Sequence, residues 1–209
     1  EVRPKRDRPT VAFCGHVAPQ GPPLKRRIKM LLRAALQPIG YHIPHNDGTY
    51  LRRDAMLALD ADPRVDTAFI RRESYFGGSL NQSQPSQQDV RGEYVRNLVA
   101  ADYALDVRGY GNFSFRFFEA MSLGRIPLLL DTDRVLPYDF LHDYREMCII
   151  VPDGEFDGVA DHVIRFHERM SDDDFRQKQR SIRDHWLHWL SPQGYFRQVW
   201  RHWEPVSRD

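Results

Sequence analysis

Cysteine is almost missing from this chain, which has two among 209 residues, Cys14 and Cys148. Both lie in apolar, strand-like surroundings and read as buried thiols, which excludes a disulfide framework and a cysteine-built metal site. No apolar run approaches the ~20 residues needed to span a bilayer. No signal-peptide pattern opens the chain either; residues 1–9, EVRPKRDRP, begin without Met and read as a linker or cut point. An excess of one charge is lacking too: 30 Lys+Arg against 29 Asp+Glu leave a net charge of +1. Basic residues cluster only at the start and at Lys25 to Arg27, so no nucleic-acid partner is expected. Internal repeats and low-complexity segments are absent.

What remains is ordinary globular material. Hydrophobic residues make up 41% and aromatics 12%, enough for a substantial core and against disorder. The length suits one large domain or two small ones. Short apolar strand candidates recur at Thr10–Cys14, Val65–Ile70, Tyr103–Val107, Ile126–Leu130 and Met147–Val151. Helical composition fills the intervals Leu24–Leu36, Tyr50–Leu59, Asp89–Ala101 and Ser114–Leu123, with Pro38 and Gly40 marking the first exit. Residues Ser74–Gln88 are the most loop-like internal stretch, and from Asp157 the pattern is helical with breaks at Ser171 and Ser191-Pro192. Strands alternating with helices predict an α/β fold, a Rossmann-like parallel sheet covered on both faces, over residues 10–170. Residues 171–209 then form an aromatic-rich helical extension. Ligands of such sheets bind beyond the carboxyl ends of the strands. Gly15 to Arg27 and Arg108 to Glu119 both follow strand ends and can line one crevice.

The most informative stretch is Arg108 to Glu119, RGYGNFSFRFFE. Gly109 and Gly111 can adopt backbone angles closed to other residues and let the main chain approach a ligand. The helix that follows presents unpaired N–H groups and positive potential to a phosphate. Arg116 and Glu119, three apart, share a helical face; one can meet a phosphate while the other accepts ribose hydroxyls. The competing reading is a plain strand-to-helix turn with Arg116 and Glu119 paired as a surface salt bridge.

Residues Tyr103 to Tyr138, YALDVRGYGNFSFRFFEAMSLGRIPLLLDTDRVLPY, resemble the signature of the exostosin family of glycosyltransferases. The matching features are Arg108-Gly109-Tyr110-Gly111, Ser114-Phe115-Arg116, Glu119-Ala120, Gly124, Ile126-Pro127, Asp131 to Asp133 and Leu136-Pro137-Tyr138. Phe13-Cys14-Gly15 resembles the family's first strand and glycine turn, extending the likeness from Thr10 to about His167. The resemblance implies the donor-binding half of a GT-B enzyme, with a nucleotide sugar (UDP- or GDP-linked) as donor, a glycan or other hydroxyl as acceptor, and no required cofactor. It implies Arg116 at the donor diphosphate and Glu119 at the ribose. Ser114, Arg108, Gly109, Tyr110, Gly111, Asn112, Phe115 and Gly15 then line the donor. One of Lys25, Arg26 and Arg27 is a second anchor, or else all belong to a solvated helix face. The chain is about one GT-B domain long, so an N-terminal half is an expected partner.

Three further signals have two readings each. His16 is the weak candidate for the base that removes the acceptor proton, or a loop residue of the donor site. Asp131-Thr132-Asp133 imitates the metal motif of GT-A transferases, but turn chemistry is favoured. His185, His188 and His202 alternate with Trp186, Trp189, Trp200 and Trp203; packing against a neighbouring domain is favoured over zinc. A non-catalytic nucleotide- or glycan-binding module is the alternative to an enzyme. Composition leans towards a bacterial cytoplasmic protein, or the Golgi lumen if the chain belongs to a larger eukaryotic one.

Overall fold

A computed structural model describes residues 2–21, 23–36, 48–72, 87–109 and 111–202. Five strands form one parallel sheet: β1 (Thr10–His16), β2 (Asp66–Arg72), β3 (Tyr103–Asp106), β4 (Ile126–Leu130) and β5 (Ile149–Val151), in the spatial order β2-β1-β3-β4-β5. The intervening helices are α1 (Leu24–Leu36), α2 (Gly48–Asp60), α3 (Gln87–Ala100) and α4 (Phe115–Ser122). They are followed by α5 (Val159–Glu168), α6 (Asp172–His185) and α7 (Pro192–Val199), with a π-helical turn at Trp186–Leu190. The sheet is doubly wound: from β1 the chain turns to β2 on one side, whereas β3, β4 and β5 build out on the other.

The sequence accounts for these elements locally. Strands β3 and β4 are buried along their whole length, as a parallel sheet covered on both faces demands of its central strands. Along β3 successive side chains point to opposite faces. Tyr103 and Leu105 enter the main core, while Ala104 meets Leu98 of α3 and Ala120 of α4. Pro127 is tolerated inside β4 because β5 pairs only from Leu128 onward, so its missing N–H costs no ladder bond there. Helix α4 ends in a Schellman motif: Arg125 N–H donates to Ala120 O at 2.9 Å and Gly124 N–H to Met121 O at 3.0 Å. Gly124, at φ 68°, takes the left-handed position that this stop needs.

Several boundaries differ from those the sequence suggests. Strand β1 runs two residues further, to His16, because Gly15 and His16 stay in register with Arg71 and Arg72 of β2. Strands β3 and β5 are shorter than expected, and α3 begins at Gln87, inside the stretch read as a loop. Pro38, Gly40, Tyr110, Trp203 and positions 74–86 lie outside the described residues.

Residues 2–9 are bonded into the domain rather than standing off as a linker. Arg3 exchanges main-chain hydrogen bonds with the Gln179 side chain at 2.9 and 2.8 Å. Lys5 Nζ reaches Met170 O at 2.7 Å, and Arg6 O meets the His167 ring at 2.7 Å. The C-terminal helices share the same core, through Phe175, Ile182 and Leu190. Part of their aromatic face packs on the chain itself, Trp189 standing 4.3 Å from the His142 ring and 5.3 Å from Tyr138, while Phe196 and Trp200 are exposed. Both cysteines are free and buried, and burial pushes each thiol up.

Candidate functional site

The strand order reverses between β1 and β3, and ligands of such sheets bind in the crevice beyond the carboxyl ends at that point. Gly15 and His16 come from β1, Arg108 and Gly109 follow β3, and the N-terminus of α4 faces both. The guanidinium of Arg116, at the second position of α4, crosses to β1, donates from Nη2 to Cys14 O at 2.7 Å and lies 4.0 Å from the centroid of the Phe13 ring. A Cβ on Gly15 would stand 2.9 Å from that Nη2, so the absence of a side chain there makes room for the arginine. Arg116 Nε is buried without a hydrogen bond. A carbonyl orients the guanidinium without cancelling its charge, so the positive potential stays at the crevice floor.

Glu119 turns the other way, towards α3. Its carboxylate accepts from Arg91 Nη1 at 2.6 Å and from Tyr94 O–H at 2.5 Å. Arg116 and Glu119 are therefore not a salt bridge with each other. Tyr94 is pushed well above the ordinary phenol range, first by burial, with the neighbouring Glu119 adding to it.

Ser114 occupies the N-cap position of α4 with extended backbone, yet its hydroxyl caps nothing. The first N–H groups of α4 thus have no side-chain acceptor from Ser114, an open anion seat of the kind nucleotide folds use. Beside it Phe113 and Phe115 are 48% and 75% exposed and meet edge to face at 5.1 Å, an aromatic surface at the rim. A cleft of about 200 Å³ runs from here past Leu136 and Pro137 to Tyr195.

The loop residues divide by role. Gly109 N–H donates to Phe113 O at 2.9 Å, and a Cβ on Gly109 would come within 3.0 Å of the same oxygen. Close approach, not a left-handed angle, accounts for this glycine: positive φ occurs at Gly15, Gly124 and Gly154. Gly111 is exposed, and a Cβ there would meet open space. Asn112 is spent on the acidic turn: Nδ2 donates to Thr132 O and Asp133 O at 2.8 and 2.9 Å, and Oδ1 accepts from Thr132. Asp131 closes the same turn by accepting Asp133 N–H at 3.0 Å, and Asp133 sits at φ 60°. This is the turn use of the Asp-Thr-Asp stretch.

His16 Nδ1 lies 3.2 Å from Arg72 O. In a neutral ring that carbonyl fixes the proton on Nδ1 and leaves Nε2 as the basic nitrogen. Lys25 is exposed, while Arg26 is buried against Asp54 at 3.4 Å and over the Tyr50 ring at 4.5 Å. Arg26 thus belongs to the packing of α1 on α2.

Two contributors escaped the sequence reading. Arg52 of α2 is buried and donates to His16 O and Arg108 O, each at 3.0 Å, clamping the two diverging loops together. Gly48, at the start of α2, packs so tightly that a Cβ would lie 2.3 Å from Arg108 O. The signal for both was a glycine and an arginine on the buried face otherwise formed by Leu51, Ala55, Met56 and Leu59. Another cleft, about 410 Å³, lies at the amino ends of the strands around Gly124 and Gln179, away from this crevice.

No protein-family model matches this chain, and no curated protein matches it. Among the described residues no helix is long and apolar enough to cross a membrane, and no group of three or more His, Cys, Asp or Glu side chains could hold a metal ion.

Proposed function

We propose that this chain binds a nucleotide diphosphate and its sugar conjugate, as the donor-binding unit of an exostosin-like glycosyltransferase. The observation that carries this reading is a coincidence of position. Arg108, Gly109 and the start of α4, from the segment with the family resemblance, lie at the carboxyl ends of the strands where a doubly wound sheet reverses its strand order. In this reading the diphosphate sits at the N-terminus of α4, near the Ser114 hydroxyl and the Arg116 guanidinium. The exposed rings of Phe113 and Phe115 offer apolar surface to the base or the sugar.

Transfer to an acceptor hydroxyl needs a base for its proton and positive charge for the departing diphosphate. Arg116 and the helix N-terminus supply the second, without a metal ion. His16 Nε2 is the candidate for the first, and the acceptor is a glycan or similar hydroxyl compound presented by a further domain.

One observation favours a second reading, a nucleotide-binding module that does no chemistry. Both Glu119 oxygens are already engaged, by Arg91 and Tyr94. A ribose contact would have to displace one of them.

Calorimetric titration with UDP, GDP and their sugar conjugates, with and without EDTA, tests the proposal. Micromolar binding that survives EDTA and fails in Arg116→Ala is the expected result. Absence of binding by every nucleotide would reject it. Binding abolished by EDTA would instead indicate a cation at Asp131 and Asp133.

A further inference from the structure

Helix α1 is amphipathic in the reverse sense for a helix on a globular domain. Its polar side faces the protein: Arg26 is buried against Asp54, and Arg33, seven residues on and so on the same side, pairs with Asp153 just past β5. Its apolar side faces out. Leu24, Ile28, Leu31 and Leu32 recur at i, i+4, i+7 and i+8 and are 71%, 50%, 72% and 51% exposed. An ordinary surface helix buries such a stripe. Here about 20 Å of helix holds it outward.

The charge around the stripe indicates what covers it. Helix α1 reads LKRRIKMLLRAAL, with five basic residues and no acidic one. By helical spacing Lys25 and Arg27 fall on opposite flanks of the stripe, both exposed, with no ion pair among the described residues. The rim of a protein interface carries mixed polar groups. An apolar stripe edged on both sides by cations instead matches an anionic lipid surface, with acyl chains beneath the leucines and headgroups beside the cations. We propose that α1 is an interfacial helix that docks the protein on membranes rich in anionic lipid. This inference does not rest on nucleotide binding.

Vesicle co-sedimentation of the whole chain tests it, with phosphatidylcholine vesicles against vesicles containing phosphatidylglycerol. Binding to the anionic vesicles only is expected, weakening as salt rises from about 0.1 to 0.5 M because the cations are exposed. Leu31→Glu should lower the partition coefficient about tenfold or more, since an apolar anchor becomes a repelled charge. Lys25→Glu with Arg27→Glu should lower it as well while leaving the leucines in place. All three side chains are exposed, so the melting temperature of each variant should stay that of the parent and separate lost docking from lost folding. Three results would overturn the proposal. Equal binding to both vesicle types would remove the anionic requirement. A dimer in light scattering that Leu31→Glu dissociates would make the stripe an interface between copies. Failure to bind either vesicle would leave the stripe to a protein partner.

Discussion

The two ends of the sheet use arginine to tie down different segments. At the amino end, Arg125 is 1% exposed and donates to Gln179 Oε1 at 3.0 Å. Gln179 also holds Arg3, Asp102 takes Thr10 N–H at 3.0 Å, and His167 sits between Tyr103 O–H and Arg6 O. This network knits residues 3–10 to the C-terminal helices. At the carboxyl end, Arg52 and Arg116 donate to main-chain carbonyls of Cys14, His16 and Arg108. At both ends a neutral oxygen satisfies the hydrogen bond and leaves the guanidinium charge standing. The amino-end network thus ties the start of the chain to the C-terminal helices, whereas the carboxyl-end arginines tie the end of β1 and the loop that follows β3 to α2 and α4.

The strongest way to break this contrast is to remove Arg116. Arg116→Ala should weaken nucleotide diphosphate binding by about 2–4 kcal/mol, the scale of a charge-assisted contact, with a much smaller change in melting temperature. Calorimetry and thermal denaturation of the same preparation read both. Equal losses in the two would make the crevice arginine structural. At the other end, Gln179→Ala should do the reverse. It removes the acceptor that Arg125 Nη1 and Arg3 N–H share, costing about 1–3 kcal/mol of stability while affinity for nucleotide stays unchanged. A urea midpoint shift without an affinity shift is the expected pair of readings.

Acid should separate the ends next. His185 is driven down to about 4 by burial among Tyr144, Trp189 and the ring of His142, 4.6 Å away. The ordinary value is about 6.5, so the unfolded chain takes up this proton first. Its contribution to stability is complete above about pH 6.5 and is lost as pH falls from there to about 4. With the ring partly exposed the loss is on the order of 1–2 kcal/mol. Melting curves across that range should show it, and His185→Phe should flatten that part of the profile.

The smallest expected effect is at Gly15. Gly15→Ala pushes a methyl to 2.9 Å from Arg116 Nη2, the movable end of a flexible side chain that can yield, and its φ of 159° adds backbone strain that falls on stability rather than on affinity. A loss of about 0.5–1 kcal/mol in nucleotide affinity, read by titration, is expected. No loss would mean that the observed pose of Arg116 is not the binding pose.

Much of the fold was legible because local signals agreed with the global one. Helix α1 and strand β4 have the boundaries that composition alone suggests, and the breaks read at Ser171 and Ser191 fall where those serines cap α6 and α7. The site was legible only as a location. Arg116 and Gly15 meet at the carboxyl ends of the strands, but Asn112 holds the acidic turn, and the freedom assigned to Gly109 resolves into close packing. Arg52 was hidden by its setting: on a helix a buried arginine and an exposed one are spelled alike until the neighbouring loops are in place. Tyr138 is similar. Its left-handed φ of 57° and its hydrogen bond to Tyr195 O at 2.8 Å link the Leu-Pro-Tyr turn to α7, a contact 57 residues away in sequence.

By itself, then, the sequence determined the alternation of strands and helices and the thiols' burial. Those follow from apolar periodicity, turn residues and helix caps, which act over a few residues. Only the tertiary structure decided which arginines point at the crevice, which carboxylate Tyr94 and Arg91 hold, and that α1 shows its leucines to solvent. Each of those depends on groups far apart in the chain, brought together by the sheet order, and no local pattern encodes which of several equal side chains will find the nearest carbonyl.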